Sequence, residues 1–315
     1  MFSFLAKSFL LFILIVLLPF FTSSMAVAES IPSPAKIIGN RFQYTIQPDD
    51  YLIKISARFG VPALILAQEN SLDYHAIIKP GQRIWVNNPH IVPENQDNLQ
   101  NGILINLPQR MLFLFSNGEL LNAYPVGLGK PDWPTPEGTF QIISQKINKS
   151  WLVPKSIQEE MRREGKIVLE EVPPGPDNPL GKHWMGLSLP GYGIHGTIAP
   201  ASVYHFQSHG CIRMHPDDVA ALFDQVHIGL SGKIIYAPIL LARLDDGRIF
   251  LEIHRDIYNK GHDPVQTVRE LAMEKGISQD IDWDRAEEVI NKQEGLAREI
   301  NLNGTEKHNV YETPP

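Results

Sequence analysis

Asn117-Gly118 lies between two apolar runs, Met111 to Phe115 and Leu120 to Val126. The tightest two-residue hairpin turn needs positive φ at both central positions, and Asn-Gly meets that need better than other pairs. The surrounding chain repeats the pattern. Ile103 to Leu107 precedes it across the turn Pro108-Gln109-Arg110, and Thr135-Pro136-Glu137-Gly138-Thr139 leads into Phe140 to Ser144. Trp184 to Leu189 and Lys233 to Ala237 add further strands. Short strands separated by Gly and Pro turns predict a mainly β domain, either sandwich or barrel-like.

The stretch before it reads differently. Phe42, Tyr44 and Ile46 alternate with polar residues as in a strand, and Gln47-Pro48-Asp49-Asp50 supplies a turn and helix N-cap candidates. Leu52, Ile55 and Phe59 mark one helical face, which Gly60 is placed to end. Pro62 can begin a second helix carrying Leu64, Ile65 and Leu66 towards Asn70, and Lys79-Pro80-Gly81-Gln82 turns into a strand from Arg83 to Val86. The result is a small strand-helix-helix-strand unit over 42–88. An Asn- and Pro-rich linker, 87–100, follows it.

At the start, Lys7 precedes an apolar run from Phe9 to Phe21, then Ala26-Val27-Ala28 before Glu29. That is the layout of a signal peptide over 1–28, from which the mature chain is expected to start at Glu29 and work outside the cytoplasm, in the periplasm. The competing reading is an uncleaved inner-membrane anchor. It is disfavoured because the run is shorter than the ~20 residues a spanning helix needs, and contains Pro19. The chain holds one cysteine, Cys211, so no lipidated cysteine can follow the signal. The net charge is -7 and no basic run accumulates, which argues against nucleic acid as a partner.

Lys155 to Gly165 has helical spacing, and the following Val172-Pro173-Pro174-Gly175-Pro176-Asp177-Asn178-Pro179 is a stiff segment that reads as a lid, a wall or an inert insertion. His215-Pro216-Asp217-Asp218 starts another helix, with Val219, Leu222, Phe223 and Val226 as its apolar stripe. Beyond 240 an extension is expected with a strand at 249–253, helices at 264–275 and 283–293, and a frayed tail from Asn301.

The chemistry concentrates in Ile194-His195-Gly196-Thr197 and Ser208-His209-Gly210-Cys211-Ile212-Arg213-Met214. A free thiol has a pKa of about 8.5, and the thiolate is the nucleophile, so a nearby imidazole base would activate Cys211 through a thiolate-imidazolium pair. His195 and His209 are both candidates. His209 shares a face with the thiol if the segment is extended, whereas His195 must approach through the fold. No acidic residue lies close in sequence to either histidine. A backbone carbonyl is then left to orient the ring. The amides of Gly210 and Cys211 are candidate oxyanion donors, and Arg213 is placed to hold a substrate carboxylate.

Singly, each of these residues has an ordinary packing or ion-pairing explanation. Their clustering favours acyl transfer. A zinc site from His205, His209, Cys211 and His215 is disfavoured, because the run lacks the glutamate of a zinc protease and Gly210 and Pro216 break any shared helix. No metal or other cofactor is expected.

These two motifs closely resemble the signature of the L,D-transpeptidases, whose catalytic domain is of YkuD type. Tyr124-Pro125-Val126-Gly127, Thr135-Pro136-Glu137-Gly138 and 174–181 extend the likeness over 101–240. The 42–88 unit resembles a LysM module, on Tyr44-Thr45-Ile46, Leu52 to Phe59, Asn70 and the Lys79-Pro80-Gly81-Gln82 turn, although Asp49-Asp50-Tyr51 departs from its usual helix start. A second departure is Asn148-Lys149-Ser150-Trp151. The resemblance implies Cys211 as nucleophile, His195 as general base and a Gly196 carbonyl that orients the ring. It makes His209 and Arg213 substrate or transition-state contacts, with Ser208 supporting the loop. It further implies attack on a peptidoglycan tetrapeptide stem, release of D-alanine, and a thioester resolved by a second stem or by a lysine of an outer-membrane lipoprotein. With water as acceptor the same site would be an L,D-carboxypeptidase or a hydrolase. A wall-binding protein without catalysis is the competing class.

Overall fold

The computed structural model describes residues 35–94 and 99–302. The signal-peptide reading and most of the expected tail lie outside them. Among the described residues no helix is long and apolar enough to cross a membrane.

Strands β1 (Ile37–Ile38) and β4 (His90–Ile91) form a short ladder flanking the first unit, which runs β2 (Arg41–Thr45), α1 (Leu52–Phe59), α2 (Ala63–Gln68) and β3 (Arg83–Asn87). β2 and β3 pair antiparallel, with Tyr44 opposite Ile84. Gly60 ends α1 at φ 68, its N–H bonded to Ser56 O, as its sequence position predicts. The helix start differs from the expectation. The N-cap is Tyr51, without a side-chain cap, because the Asp50 carboxylate instead accepts from Gln47 N at 2.8 Å and from Tyr44 Oη at 2.6 Å. Asn70 ties α2 to β3: its Nδ2 donates to Leu66 O and Trp85 O, and its Oδ1 accepts from Trp85 N. Ile55, Leu66, Ile84 and Val86 fill the core, joined by Leu296 from the far end of the chain.

The central domain contains β5 (Gly102–Asn106), β6 (Met111–Ser116), β7 (Glu119–Gly129), β8 (Gly138–Ile147), β9 (Trp151–Leu152), α3 (Lys155–Arg163), β10 (Glu171–Val172), β11 (His183–Leu187), β12 (Gly193–His195), β13 (Phe206–Ser208), β14 (Ile212–Met214), α4 (Pro216–Gln225) and β15 (Ser231–Ile235). Its main sheet runs β13-β7-β14-β12-β11-β8-β15-β5-β6, and β6 also pairs with β7. That last pairing closes a barrel-like sheet, which removes the exposed edges an open sheet would carry. The closing hairpin is the one read at Asn117-Gly118, with φ 53 and 78. Ile103, Leu112, Val126, Ile142, Met185, Ile194, Ile212 and Leu222 fill the interior. Pro216 occupies the first turn of α4 and His215 its N-cap, so the helix begins where His-Pro-Asp-Asp predicts.

The C-terminal part is larger in sheet than expected. β16 (Ile239–Arg243), β17 (Ile249–Ile253) and β18 (Arg298–Glu299) pair in that order, with α5 (Pro264–Glu274) and α6 (Trp283–Lys292) packed over them. β16 was missed because Ile239-Leu240-Leu241-Ala242 is buried throughout, so it lacks the alternation that marks a half-exposed strand. Asn301 is bridged to Ile281, so order extends into the stretch read as frayed. Leu251, Ile253, Val268, Ala272 and Ile290 give this region its own core.

Candidate active site

Parallel pairing of β12 with β14 sets Ile194 opposite Ile212 and His195 opposite Arg213. Residues in register on neighbouring strands point to one side, and residues two apart return to it. Ile194 and Ile212 enter the core. His195 and Arg213 therefore share the other face, with Gly193 and Cys211 one step back on the same face. His195 thus shares a sheet face with Cys211 through the fold.

His195 is 4% exposed, and its Nδ1 lies 2.6 Å from Gly196 O. A carbonyl only accepts, so Nδ1 carries the proton and Nε2 keeps its lone pair. The Trp184 ring stacks on His195 with centroids 5.8 Å apart, and Lys149 Nζ sits 4.7 Å from the centre of Trp184. A Cβ on Gly193 would lie 2.4 Å from Trp184, so the absence of a side chain there lets the indole reach its place against the imidazole.

Burial pushes the His195 pKa down to about 4, and the Arg213 charge adds to this, against the Gly196 and Leu180 carbonyls that favour the cation. Cys211, half-buried, is moved the other way. Burial raises its pKa, opposed by the Gly193 amide and by Arg213 and Lys149. Both shifts favour the neutral forms. Burial lowers the Arg213 pKa, and no carboxylate among the described residues pairs with it.

The loop before the thiol is not extended. Gly210 has φ 101, and a Cβ there would meet the Tyr192 ring at 2.6 Å. His209 is engaged by other residues: its Nε2 lies 2.5 Å from Glu160 Oε2 and its ring meets Trp133 edge-on at 4.9 Å. Ser208 Oγ donates to Cys211 O at 2.6 Å and accepts from Gly210 N at 3.1 Å. The Gly210 amide, read from sequence as an oxyanion donor, is thus satisfied inside the loop. Thr135 Oγ1 braces the same loop, donating to Gly210 O at 2.8 Å and accepting from Gly129 N.

Glu160 comes from an excursion between β8 and β11 that carries α3. Its neck is closed by Asn148 N donating to Lys182 O at 2.7 Å, and β9 pairs with β10 inside it. Asn178, 1% exposed, donates to Lys149 O, Val172 O and Pro173 O, and accepts from Leu180 N. The Pro-rich segment is therefore part of a wall of the site, which delivers Glu160 to His209, Lys149 to Trp184 and the Leu180 carbonyl to His195. Lys130 Nζ meets Glu160 at 2.8 Å; this bond and the one to His209 hold the carboxyl down at about 2. The sequence reading missed Glu160, Lys130, Trp133 and Trp184. Glu160 stands 49 positions from His209, and no local pattern marks it.

No group of three or more His, Cys, Asp or Glu among the described residues is arranged to hold a metal ion. What remains is a thiol, a base with a fixed tautomer and a free guanidinium on one face, a set suited to acyl transfer from a carboxylate-bearing substrate.

Residues 100–236 match the YkuD family, described as the L,D-transpeptidase catalytic domain, and residues 44–87 match the LysM domain. The chain is 29% identical to YcfS of Escherichia coli, named as a probable L,D-transpeptidase, over 79% of this chain and 82% of that one. It is 25% identical to ErfK/SrfK of Escherichia coli, named likewise, over 89% and 93%. With the YkuD protein of Bacillus licheniformis, which also carries the L,D-transpeptidase name, identity is 31% over 61% and 97%.

Proposed function

The chain belongs to the L,D-transpeptidase family, and from that premise we propose that it is a periplasmic enzyme that remodels peptidoglycan stem peptides through a thioester on Cys211. The observation that carries this is the placement of His195, with Nδ1 on the Gly196 carbonyl, on the same sheet face as Cys211. His195 Nε2 takes the thiol proton as Sγ attacks the carbonyl of the third, L-centred residue of a tetrapeptide stem. The C–N bond to the terminal D-alanine breaks, and the proton passes from His195 to the leaving amine. An acceptor amine then attacks the thioester, gives its proton to His195, and restores the thiol.

Arg213 is the anchor for a stem carboxylate, since it stands on the reacting face without an acidic partner among the described residues. The Cys211 amide is the remaining loop donor for the oxyanion, the Gly210 amide being engaged by Ser208. His209, held by Glu160, shapes the cleft rim rather than acting as base. The LysM domain implies peptidoglycan as the polymer bound. The acceptor is a second stem, which gives a 3-3 cross-link, or a lipoprotein lysine; water would make the enzyme a carboxypeptidase.

Incubating the chain from Glu29 with purified disaccharide-tetrapeptide and following protein and products by mass spectrometry tests the proposal. Loss of one alanine, an acyl-enzyme and dimers are expected, all absent in Cys211→Ala. Unaltered substrate overturns acyl transfer. Tripeptide monomer alone, with acceptor amine in excess, assigns water as acceptor.

A further inference from the structure

Six buried side-chain polar atoms lack a hydrogen-bond partner among the described residues, and three of them, Arg110 Nε, Tyr204 Oη and His205 Nε2, belong to residues lining one cavity of about 590 Å³. Buried polar groups are nearly always satisfied, so three on one cavity wall mark a place where a partner is missing. The cavity shares no residue with the Cys211 face. It lies where the LysM domain, represented by Leu64 and Tyr74, meets the barrel and the C-terminal region.

Its electrostatics are one-sided. The Arg110 guanidinium stacks 4.0 Å from the centre of the Tyr204 ring, and Arg255 and Lys292, the latter paired with Glu288 at 2.5 Å, also line the space. Neither Arg110 nor Arg255 has a carboxylate partner among the described residues. The carboxylates at hand are taken: Glu294 by Arg298 at 2.6 Å, and Glu252 by His90, His254, Gln109 and the Ile91 amide. Arg110 is half-buried, but its Nε is buried without a partner, and an anion in the cavity would supply one. Burial keeps the Tyr204 phenol neutral, with its pKa up at about 12, so its O–H remains available as a donor.

The backbone adds a second, independent sign. Arg110 and Tyr204 both adopt left-handed conformations, φ 56 and 62. For bulky residues this conformation is unfavourable, and such strain is retained where the surrounding structure requires that placement. Here it brings a cation and an aromatic ring together on the cavity wall.

We propose that this cavity is a binding site for an oxyanion-bearing ligand, a carboxylate or a phosphate, held by the Arg110 guanidinium with Tyr204 Oη and His205 Nε2. Its volume suits a monosaccharide-sized group rather than a bare ion. The site is separate from the transpeptidase chemistry, so Cys211→Ala should bind the same ligand equally well.

Isothermal titration of the full chain with N-acetylmuramic acid, its uncharged counterpart N-acetylglucosamine, and inorganic phosphate tests this. Arg110→Asn removes the guanidinium while accepting positive φ readily, so this variant should fold. Tyr204→Phe supplies a second variant that keeps the ring. At least one anion should bind, about tenfold more weakly in each variant, with no Arg110-dependent binding of N-acetylglucosamine. Binding of N-acetylmuramic acid alone assigns a carboxylate source, and binding of phosphate alone a phosphate source. No anion binding up to about 10 mM, or binding unchanged in both variants, overturns the proposal.

Discussion

At the residue scale the consequential feature is that His195 is buried as a neutral imidazole. Its folded pKa of about 4 lies below the 6.5 of an exposed histidine. Between those values the unfolded chain binds the extra proton, so His195 makes stability rise with pH across that window and subtracts from it in acid. In the proposed mechanism the same shift keeps His195 competent as the base in mild acid. The low-pH limb of Cys211 acylation should therefore have its midpoint near 4, and stopped-flow acylation across pH 3 to 8 reads it directly. His195→Ala should lower the acylation rate by about 10²- to 10⁴-fold. Gly193→Ala tests the stack behind the base: its Cβ meets Trp184 at 2.4 Å. Overpacking of that kind costs about 1–3 kcal/mol. Denaturant unfolding should show that loss together with slower acylation, because the indole must leave the imidazole.

At the scale of elements, the excursion between β8 and β11 builds the site wall without sheet pairing to the barrel beyond its neck. Asn178 makes four hydrogen bonds that fold the Pro-rich segment onto Lys149 and Leu180. Removing a buried side chain of this kind leaves several carbonyls unpaired and costs about 1–3 kcal/mol. Asn178→Ala should open the excursion before the barrel. Limited proteolysis should cut within 148–182 while the strands resist, and the acylation rate should fall because α3 no longer holds Glu160 at His209. Gly210 shows the same dependence of an element on one residue: its positive φ turns the loop so that His209 and Cys211 face different neighbours.

At the scale of the whole molecule, a buried polar cluster joins the three regions. Glu252 of β17 is fully buried and meets His90 Nδ1 and His254 Nε2 at 2.8 Å each, while His90 Nε2 lies 2.8 Å from Gly60 O at the end of α1. Burial opposes the Glu252 charge, but the neighbouring histidines hold its pKa below the usual carboxylate range. The stability it contributes is thus present above the unfolded carboxylate pKa and lost as pH falls below it. Glu252→Ala leaves buried partners uncompensated and should cost about 3–5 kcal/mol. Urea unfolding at neutral pH measures that loss, and the gap between variant and wild type should narrow in acid.

The hairpin at Asn117-Gly118, the Gly60 helix stop, the start of α4 and the reactive motifs around His195 and Cys211 were all legible in the sequence. Each depends on local rules: a positive φ, a missing amide hydrogen, an apolar period, or a rare residue beside glycine. Closure of the barrel by β6 against β7, the burial of β16 and the pairing of Glu160 with His209 were not. They are set by contacts between residues tens of positions apart and by desolvation, neither of which has a local signature. The sequence by itself thus determined the kinds of element and the reactive groups. Only the tertiary structure decided which histidine shares a sheet face with Cys211 and which is engaged by Glu160, because those placements rest on strand register and on one glycine's backbone angle.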